Sequence, residues 1–440
     1  MNPELGVAVF AILVALYGAV GILLGRWSIT MPMVFVAAGV LLGTSGFGLI
    51  QISPTTEGVR SLAETTLAIL LFADASTLSF RNVEEDTLLP GRLLGVGLPL
   101  TIALGALLAF LLFPSHGVGF ALLLAAILAP TDAALGLPIF TNPKVPVRIR
   151  RALNVESGLN DGIATPFVTL FLSLAAAGEQ ATSGGWLVGA IEQIAIAVLV
   201  GAVVGLAGGR VLLYAHKRGW TQGTPLQVAV MALAFAAYLS SLALGGNGFV
   251  AAFVGGIVFG ASSRGKLAEF TEYSETTGTL LSLLVWGIFG TLFVGPLVFA
   301  NFDPRVILYA VLSLTVIRMV PVLAALYGLK FRLDSQLLMG WFGPRGLASV
   351  VFGLLAVDDL MQVPQEARLM ASVVTWTILL SVLAHGLSAQ PLAGWYARRL
   401  ASAGSDLPEL KDVPDVLGRK LLLVGLAPDK PGPSSGPPAP

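Results

Sequence analysis

One stretch of the chain, NVESGLNDGIATPF, carries Glu156, Ser157, Asn160 and Asp161 inside an otherwise apolar run. On a helix, Ser157 and Asp161 are four apart and share one face, and Glu156 and Asn160 share the neighbouring face. The two stripes offer hydroxyl, amide and carboxylate oxygens with no thiolate or imidazole beside them. That donor set suits a hard cation such as an alkali ion. A second stretch, LAAILAPTDAALGLP, adds the Thr131 hydroxyl, Asp132 and backbone carbonyls released by Pro130, which removes a helical hydrogen bond. Acidic oxygens in such a pocket can hold a proton or release it to take a cation. Both ligands compete for the same oxygens, so exchange needs no separate relay.

The elements that position these groups belong to a membrane. The chain has 440 residues, of which only 11% are charged and 55% are hydrophobic, with a mean hydropathy of +0.86. Soluble domains carry about 25% charged residues. A water-soluble enzyme and a disordered chain are excluded, and the balance of 25 Lys and Arg against 25 Asp and Glu excludes a nucleic-acid binder. With no cysteine, there is neither a disulfide framework nor a thiolate metal site. The reading is an all-α polytopic membrane protein that is not an enzyme, since no nucleophile–base pair or metal ligand set appears in the spans.

Apolar stretches of bilayer length recur at 5–25, 30–50, 60–80, 88–113, 117–140, 149–176, 186–214, 224–244, 247–262, 275–299, 304–328, 335–357 and 368–396. They predict thirteen transmembrane helices. The first is preceded by Glu4 rather than a basic segment, so it reads as a span and not a cleavable leader. Alternate connections hold fifteen basic residues, including Arg81, Lys144, Arg148, Arg150, Arg151 and Arg398, while the opposite set holds Arg60 and Arg305. This bias places the N-terminus outside and the C-terminus in the cytoplasm. Residues 1–399 form the membrane domain. Residues 400–440 form a cytoplasmic tail ending in PGPSSGPPAP, a composition that buries no core, although its LLLVGL run has the apolar character to dock.

Two stretches share an interruption. The fifth places Pro130 before Asp132, and the twelfth, LLMGWFGPRGLASVV, places Pro344 before Arg345. In hydrocarbon a broken helix survives only where it packs in protein or lines a cavity. Paired interruptions in corresponding halves point to a midplane site in a transporter with inverted repeats.

Asp74, Asp132, Glu156, Asp161, Arg318 and Arg345 all fall inside predicted spans. At about 2.5–3.5 kcal/mol each on the insertion scale, such charges must be paired, hydrated or protonated. Arg318, which cannot deprotonate, is the natural partner of Glu156, and the pair would hold the sixth stretch against the eleventh. Arg345 either caps the carbonyl ends at the break in its own stretch or faces a cytoplasmic funnel. Among the remaining groups, Glu64 and the Asp358–Asp359 pair read as solvated residues near the outer face. His385 reads as a packed histidine bonded to a backbone carbonyl.

APTDA at 129–133, ESGLNDG at 156–162, Arg318 and GPRG at 343–346 together resemble the sodium/proton antiporters of the NhaP/NHE branch of the monovalent cation–proton antiporters, over about residues 5–398. The resemblance implies a homodimer whose helices 5 and 12 are unwound and cross. Core helices, about 88–176 and 304–396, would move like an elevator against dimerisation helices, about 5–80 and 186–299. It assigns sodium to Asp161, Asp132, Ser157 and Thr131, with Asp74 approaching from the other domain. The last position is often Glu in the family, so the shorter Asp74 calls for a water bridge. Glu156 and Arg318 match the structural pair of the family, and Asn160 its orienting residue. Electrogenic relatives carry Asp-Asp where this chain has Asn160–Asp161, which implies one proton per cation and electroneutral exchange. No cofactor is implied; Na⁺, Li⁺ or K⁺ and H⁺ are cargo. The implied setting is membrane lipid, as in a bacterial inner membrane. The alternatives are a potassium/proton antiporter and, from another class, a cation channel or a non-transporting scaffold.

Overall fold

The computed structural model describes residues 3–52, 57–77, 88–140, 142–177, 185–298, 303–402 and 407–411. Among these the chain is helical, with no strand. The helices are α1 (Pro3–Arg26), α2 (Met31–Leu42), α3 (Glu57–Ser76), α4 (Leu88–Leu112), α5 (Gly117–Leu128), α6 (Ala133–Phe140), α7 (Val147–Ala177) and α8 (Gly185–Lys217). They continue as α9 (Thr224–Ala243), α10 (Gly248–Ser262), α11 (Glu272–Phe289, running on through a π turn to Val298), α12 (Pro304–Leu314), α13 (Val316–Leu326), α14 (Leu333–Trp341), α15 (Leu347–Asp359) and α16 (Pro364–Ala401). Among the described residues eight stretches are long and apolar enough to cross a bilayer, and α2, α10 and the stretch Pro114–Leu128 that ends in α5 are shorter apolar helices.

Small residues set the packing. Gly201, Gly205 and Gly209 of α8 face the backbone of Ala251, Gly255 and Phe259 on α10, while Gly256 and Gly260 of α10 face the Phe72 and Ser76 carbonyls of α3. Without side chains in the way, backbones approach closely, which is how helices gain dispersion energy where lipid cancels the hydrophobic drive. Around α7 the packing turns polar: Asn247 caps α10 through the Val250 N–H and donates to Thr169 Oγ1 at 2.7 Å.

Several segments differ from the hydropathy reading. The second stretch is helical only to Leu42, because the Gly-rich segment from Gly43 to Gly48 turns the chain, with Gly48 at a positive φ of 65°. The fifth and twelfth stretches are interrupted between α5 and α6 and between α14 and α15. The eleventh stretch is broken as well: Thr315, at φ −111° and ψ −91°, separates α12 from α13. Its Thr315–Val316 pair, both β-branched, is the sole local hint.

Glu64 and the two aspartates are not merely solvated. Arg60 donates to Glu64 at 2.9 Å, to Asp358 at 2.6 Å and to Asp359 at 3.2 Å, and Tyr238 donates to the second Glu64 oxygen at 2.9 Å. This network ties α3 and α9 to the end of α15. The tail is docked where it is described: Leu407–Lys411 lies against the starts of α7 and α14. The LLLVGL run at 421–426 and the connection holding Arg81 lie outside the described residues.

Candidate ion-binding site

The interruption between α5 and α6 is held in place group by group. Ser349 Oγ donates to the Ile127 carbonyl at 2.7 Å, and Arg345 Nη1 donates to the Ala129 carbonyl at 3.0 Å. On the far side of the break, Asp132 Oδ1 accepts from the Ala134 N–H at 2.6 Å and the Leu135 N–H at 3.3 Å. Its other oxygen accepts from the Leu347 N–H of α15 at 2.9 Å, and its own N–H donates to the Pro344 carbonyl at 2.8 Å. One carboxylate therefore caps two half-helices, α6 and α15, whose N-terminal dipoles both favour negative charge. Both oxygens of Asp132, an ion ligand in the sequence reading, accept from backbone amides, and Oδ2, which takes one amide, keeps a lone pair that a cation could approach.

Arg345 is the positive counterpart. Completely buried, it reaches Ala129 at the end of α5 and, through Nη2, the Ser313 carbonyl at the end of α12 at 3.0 Å. It caps carbonyls of other broken segments rather than of its own, because the guanidinium extends away from the turn that carries it. No funnel is needed for it. Ser381 Oγ accepts from the Arg345 backbone N–H at 2.7 Å and lies 3.1 Å from His385 Nδ1. His385 Nε2 lies 2.8 Å from the Trp341 carbonyl, so this residue is a packed histidine that secures the end of α14.

Beside these interruptions stands a cluster of neutral oxygens. Thr131 Oγ1 lies 3.1 Å from Ser157 Oγ and accepts from Asn160 Nδ2 at 2.5 Å, and all three residues are buried. Asn160 Oδ1 is buried and finds no hydrogen-bond donor among the described residues. An orphaned carbonyl oxygen in a dry site is costly unless something positive approaches it, and a partly dehydrated cation does so. Asp161 follows Asn160 and sits one turn beyond Ser157 on the same stripe, half-buried, with its carbonyl accepting from Thr165 Oγ1. Asp74, also half-buried, lies on α3, which packs against α7.

Glu156 faces the other way. Arg318 donates to it twice, Nη1 to Oε1 at 2.5 Å and Nη2 to Oε2 at 2.9 Å, with both side chains 3% exposed. This fork joins α7 to α13. Arg318 is in turn crowded by Gly343, where a Cβ would strike the guanidinium and approach the Thr131 methyl at 3.0 Å. At Gly346 a Cβ would overlap the Asp132 carboxylate. Gly346→Ala is therefore expected to displace Asp132 from both caps and to destabilise by about 1–3 kcal/mol as an overpacked site. A drop in melting temperature, with Gly58→Ala on the exposed face of α3, where nothing meets an added Cβ, as the comparison, checks it. Ser349, Ser381 and Ser313 escaped the sequence reading, and the two glycines entered it only as part of GPRG with no role assigned, because a small residue in an apolar helix carries no signal of what packs on it.

The chain matches the family described as sodium/hydrogen exchanger, transmembrane, over residues 9–395. It belongs to that family. These proteins are transporters, not enzymes; cations and protons are their cargo, and this chain is a multi-pass membrane protein. A K(+)/H(+) antiporter NhaP from Alkalimonas amylolytica is 25% identical over 368 residues, covering 82% of this chain and 62% of that one. A K(+)/H(+) antiporter NhaP2 from Shewanella oneidensis is 26% identical, covering 86% and 65%, and a Na(+)/H(+) antiporter from Schizosaccharomyces pombe is 26% identical, covering 68% and 71%. The chain thus spans less than two thirds of the length of the first two relatives. The sodium proton antiporter MjNhaP1 from Methanocaldococcus jannaschii shares the fold, with a TM-score of 0.71 at 17% identity over 88% of this chain and 100% of that chain.

Proposed function

We propose that this exchanger-family chain is a secondary-active sodium/proton antiporter, exchanging one proton per cation. The observation that carries the reading is the buried oxygen cluster of Thr131, Ser157 and Asn160, with an unsatisfied Asn160 Oδ1, next to Asp161. Charge counting supports the stoichiometry. Asp132 is engaged by three backbone N–H groups and Glu156 by both arms of Arg318, and Asp161, one turn beyond Ser157 on the same stripe of α7, is the carboxylate that exchanges its ion in this reading. It binds the cation when ionised and the proton when the cation leaves. Ser157, Thr131 and Asp132 complete the cage beside the Asn160 carbonyl, and Asp74 joins from α3. Each net charge moved would couple the cycle to voltage by about 2.3 kcal/mol per 100 mV, and a one-for-one cycle moves none.

In this reading the thirteen stretches all span the membrane, the N-terminus faces outward and the C-terminus inward, and the interruptions at 129–132 and 342–346 are crossed unwound helices of two inverted repeats. Helices within 88–176 and 304–396 carry the site past a dimerising body of 5–80 and 186–299 in the bacterial inner membrane. A potassium/proton antiporter is the second reading, favoured by the printed names of the Alkalimonas and Shewanella relatives.

Purified protein in liposomes with an entrapped pH dye tests the proposal. Steps of Na⁺ or Li⁺ are expected to move protons at a rate indifferent to clamped voltage. A response to K⁺ alone selects the second reading, and no response to any of the three overturns both. Relative motion of the two bodies has its own test, because Arg60 on α3 and Asp358 on α15 would lie on opposite sides of the moving boundary. The chain has no native cysteine, so Arg60→Cys with Asp358→Cys offers one thiol pair. Bridging the pair with a short methanethiosulfonate cross-linker is expected to stop exchange, and reduction to restore it. Undiminished exchange in the bridged protein would exclude the elevator.

A further inference from the structure

The segment Leu407–Lys411 follows the last helix and contains Glu409, a carboxylate only 1% exposed on a stretch outside the bilayer-length runs. Such burial of a tail residue demands a partner. Glu409 Oε1 accepts from the Arg332 backbone N–H at 2.8 Å and from Ser335 Oγ at 2.6 Å, at the first turn of α14. Ser335 Oγ also lies 3.0 Å from Tyr396 Oη on α16. One residue earlier, the Pro408 carbonyl accepts from Arg148 Nη1 at 2.6 Å, in the first turn of α7, and the Arg148 guanidinium stacks 4.9 Å above the Phe331 ring just before α14. Leu407 packs on the apolar cluster that contains Tyr396.

The two helices bridged in this way are the ones that matter most for the site. α7 carries Ser157, Asn160 and Asp161, and α14 leads into the break at 342–346, where Gly343 touches Thr131 and Arg318. From the docked segment to the oxygen cluster is about ten residues along each helix, or about 15 Å. A helix is stiff over that span, so a change in how the two starts are spaced is carried to Thr131 and Ser157. The tail bonds both starts, α14 through the Glu409 carboxylate and α7 through the Pro408 carbonyl, beside the direct stacking of Arg148 on Phe331.

We propose that Glu409 is a positioning residue: through it the tail straps the starts of α7 and α14 together and so sets the spacing of the cation-binding oxygens. The inference rests on the exchange reading above and adds a dependence on the tail. Nothing in it requires the residues beyond Lys411.

The experiment is a cation titration of exchange by the full chain in liposomes. Glu409→Ala is expected to raise the apparent KM for the transported cation about three- to tenfold, the range that one or two lost hydrogen bonds supply, with a smaller change in maximal rate. Glu409→Gln keeps an acceptor oxygen for both donors and is expected to remain within about twofold of wild type. Ser335→Ala, which deletes one donor to the same oxygen, falls between them and carries the test if Glu409→Ala does not insert. A KM unchanged in folded Glu409→Ala or Ser335→Ala protein overturns the strap. So does a loss in Glu409→Gln equal to that in Glu409→Ala, or a KM rise matched by an equal loss of maximal rate. Absence of exchange in the wild-type chain would instead fault the antiporter reading.

Discussion

Asp161→Asn is expected to abolish cation/proton exchange while the protein still inserts and melts near the wild-type temperature. The substitution keeps size and shape, and nothing in the packing of α7 against α10 at Gly162 and Phe253 depends on the charge. What it removes is the negative charge that lies one turn beyond Ser157 in the proposed cage. At an effective dielectric of about 20, a cation about 4 Å from a carboxylate gains about 4 kcal/mol, roughly a thousandfold in affinity. The amide also has no proton to release in the working range. Flux in the liposome assay should therefore fall below detection for every alkali ion. Asp132→Asn provides the contrast. Its amide would set an NH₂ group against a backbone N–H at α6 or α15, an unsatisfied pair worth about 1–3 kcal/mol, so its first effect is on stability. Should Asp161→Asn exchange normally, the site lies elsewhere.

The second large effect is on the fold. Removing one partner of the Glu156–Arg318 fork leaves a buried, uncompensated charge, and Arg318→Met alone is expected to destabilise by about 3–5 kcal/mol. That is a large share of the about 5–15 kcal/mol that holds a typical protein together. Glu156→Leu alone should cost as much, because Arg318 cannot shed its proton. The double variant should recover most of the loss, since two apolar side chains of similar volume replace a pair whose desolvation nearly cancels its attraction. Thermal unfolding of the four proteins in detergent closes the cycle. A double variant as unstable as the sum of the singles would mean that the fork does more than neutralise itself, and exchange by the double variant shows whether its role ends at architecture.

How much of this was legible beforehand depended on the kind of signal. Hydropathy marks helices well because the bilayer demands a run of apolar residues of set length, and each of α1 to α16 overlaps a predicted stretch. It fails where glycine ends a helix inside apolar sequence, as at Gly43, since glycine is neutral to lipid and permissive to the chain. Proline exposed two interruptions, at Pro130 and Pro344, because its missing N–H is a covalent fact. The third, at Thr315, has no such mark; there Arg345 donates to the Ser313 carbonyl at the end of α12. Glu156 and Arg318 pointed to one another because each is intolerable alone in an apolar span. For Glu64, Asp358 and Asp359 the reading stopped at solvation, since Arg60 lies about three hundred residues from the aspartates it holds.

From its residues alone the chain declares a membrane protein, the helices that carry its charges, the two prolines that break them and the oxygens able to greet a hard cation. Which backbone groups reach those oxygens was decided only in three dimensions. Asp132 and Asp161 look alike as letters, yet Asp132 is enclosed by amides from two different half-helices, while Asp161 lies on the Ser157 stripe of α7. A carboxylate's work is set by the donors that reach it, and donors brought from 215 residues away leave no trace in the local sequence.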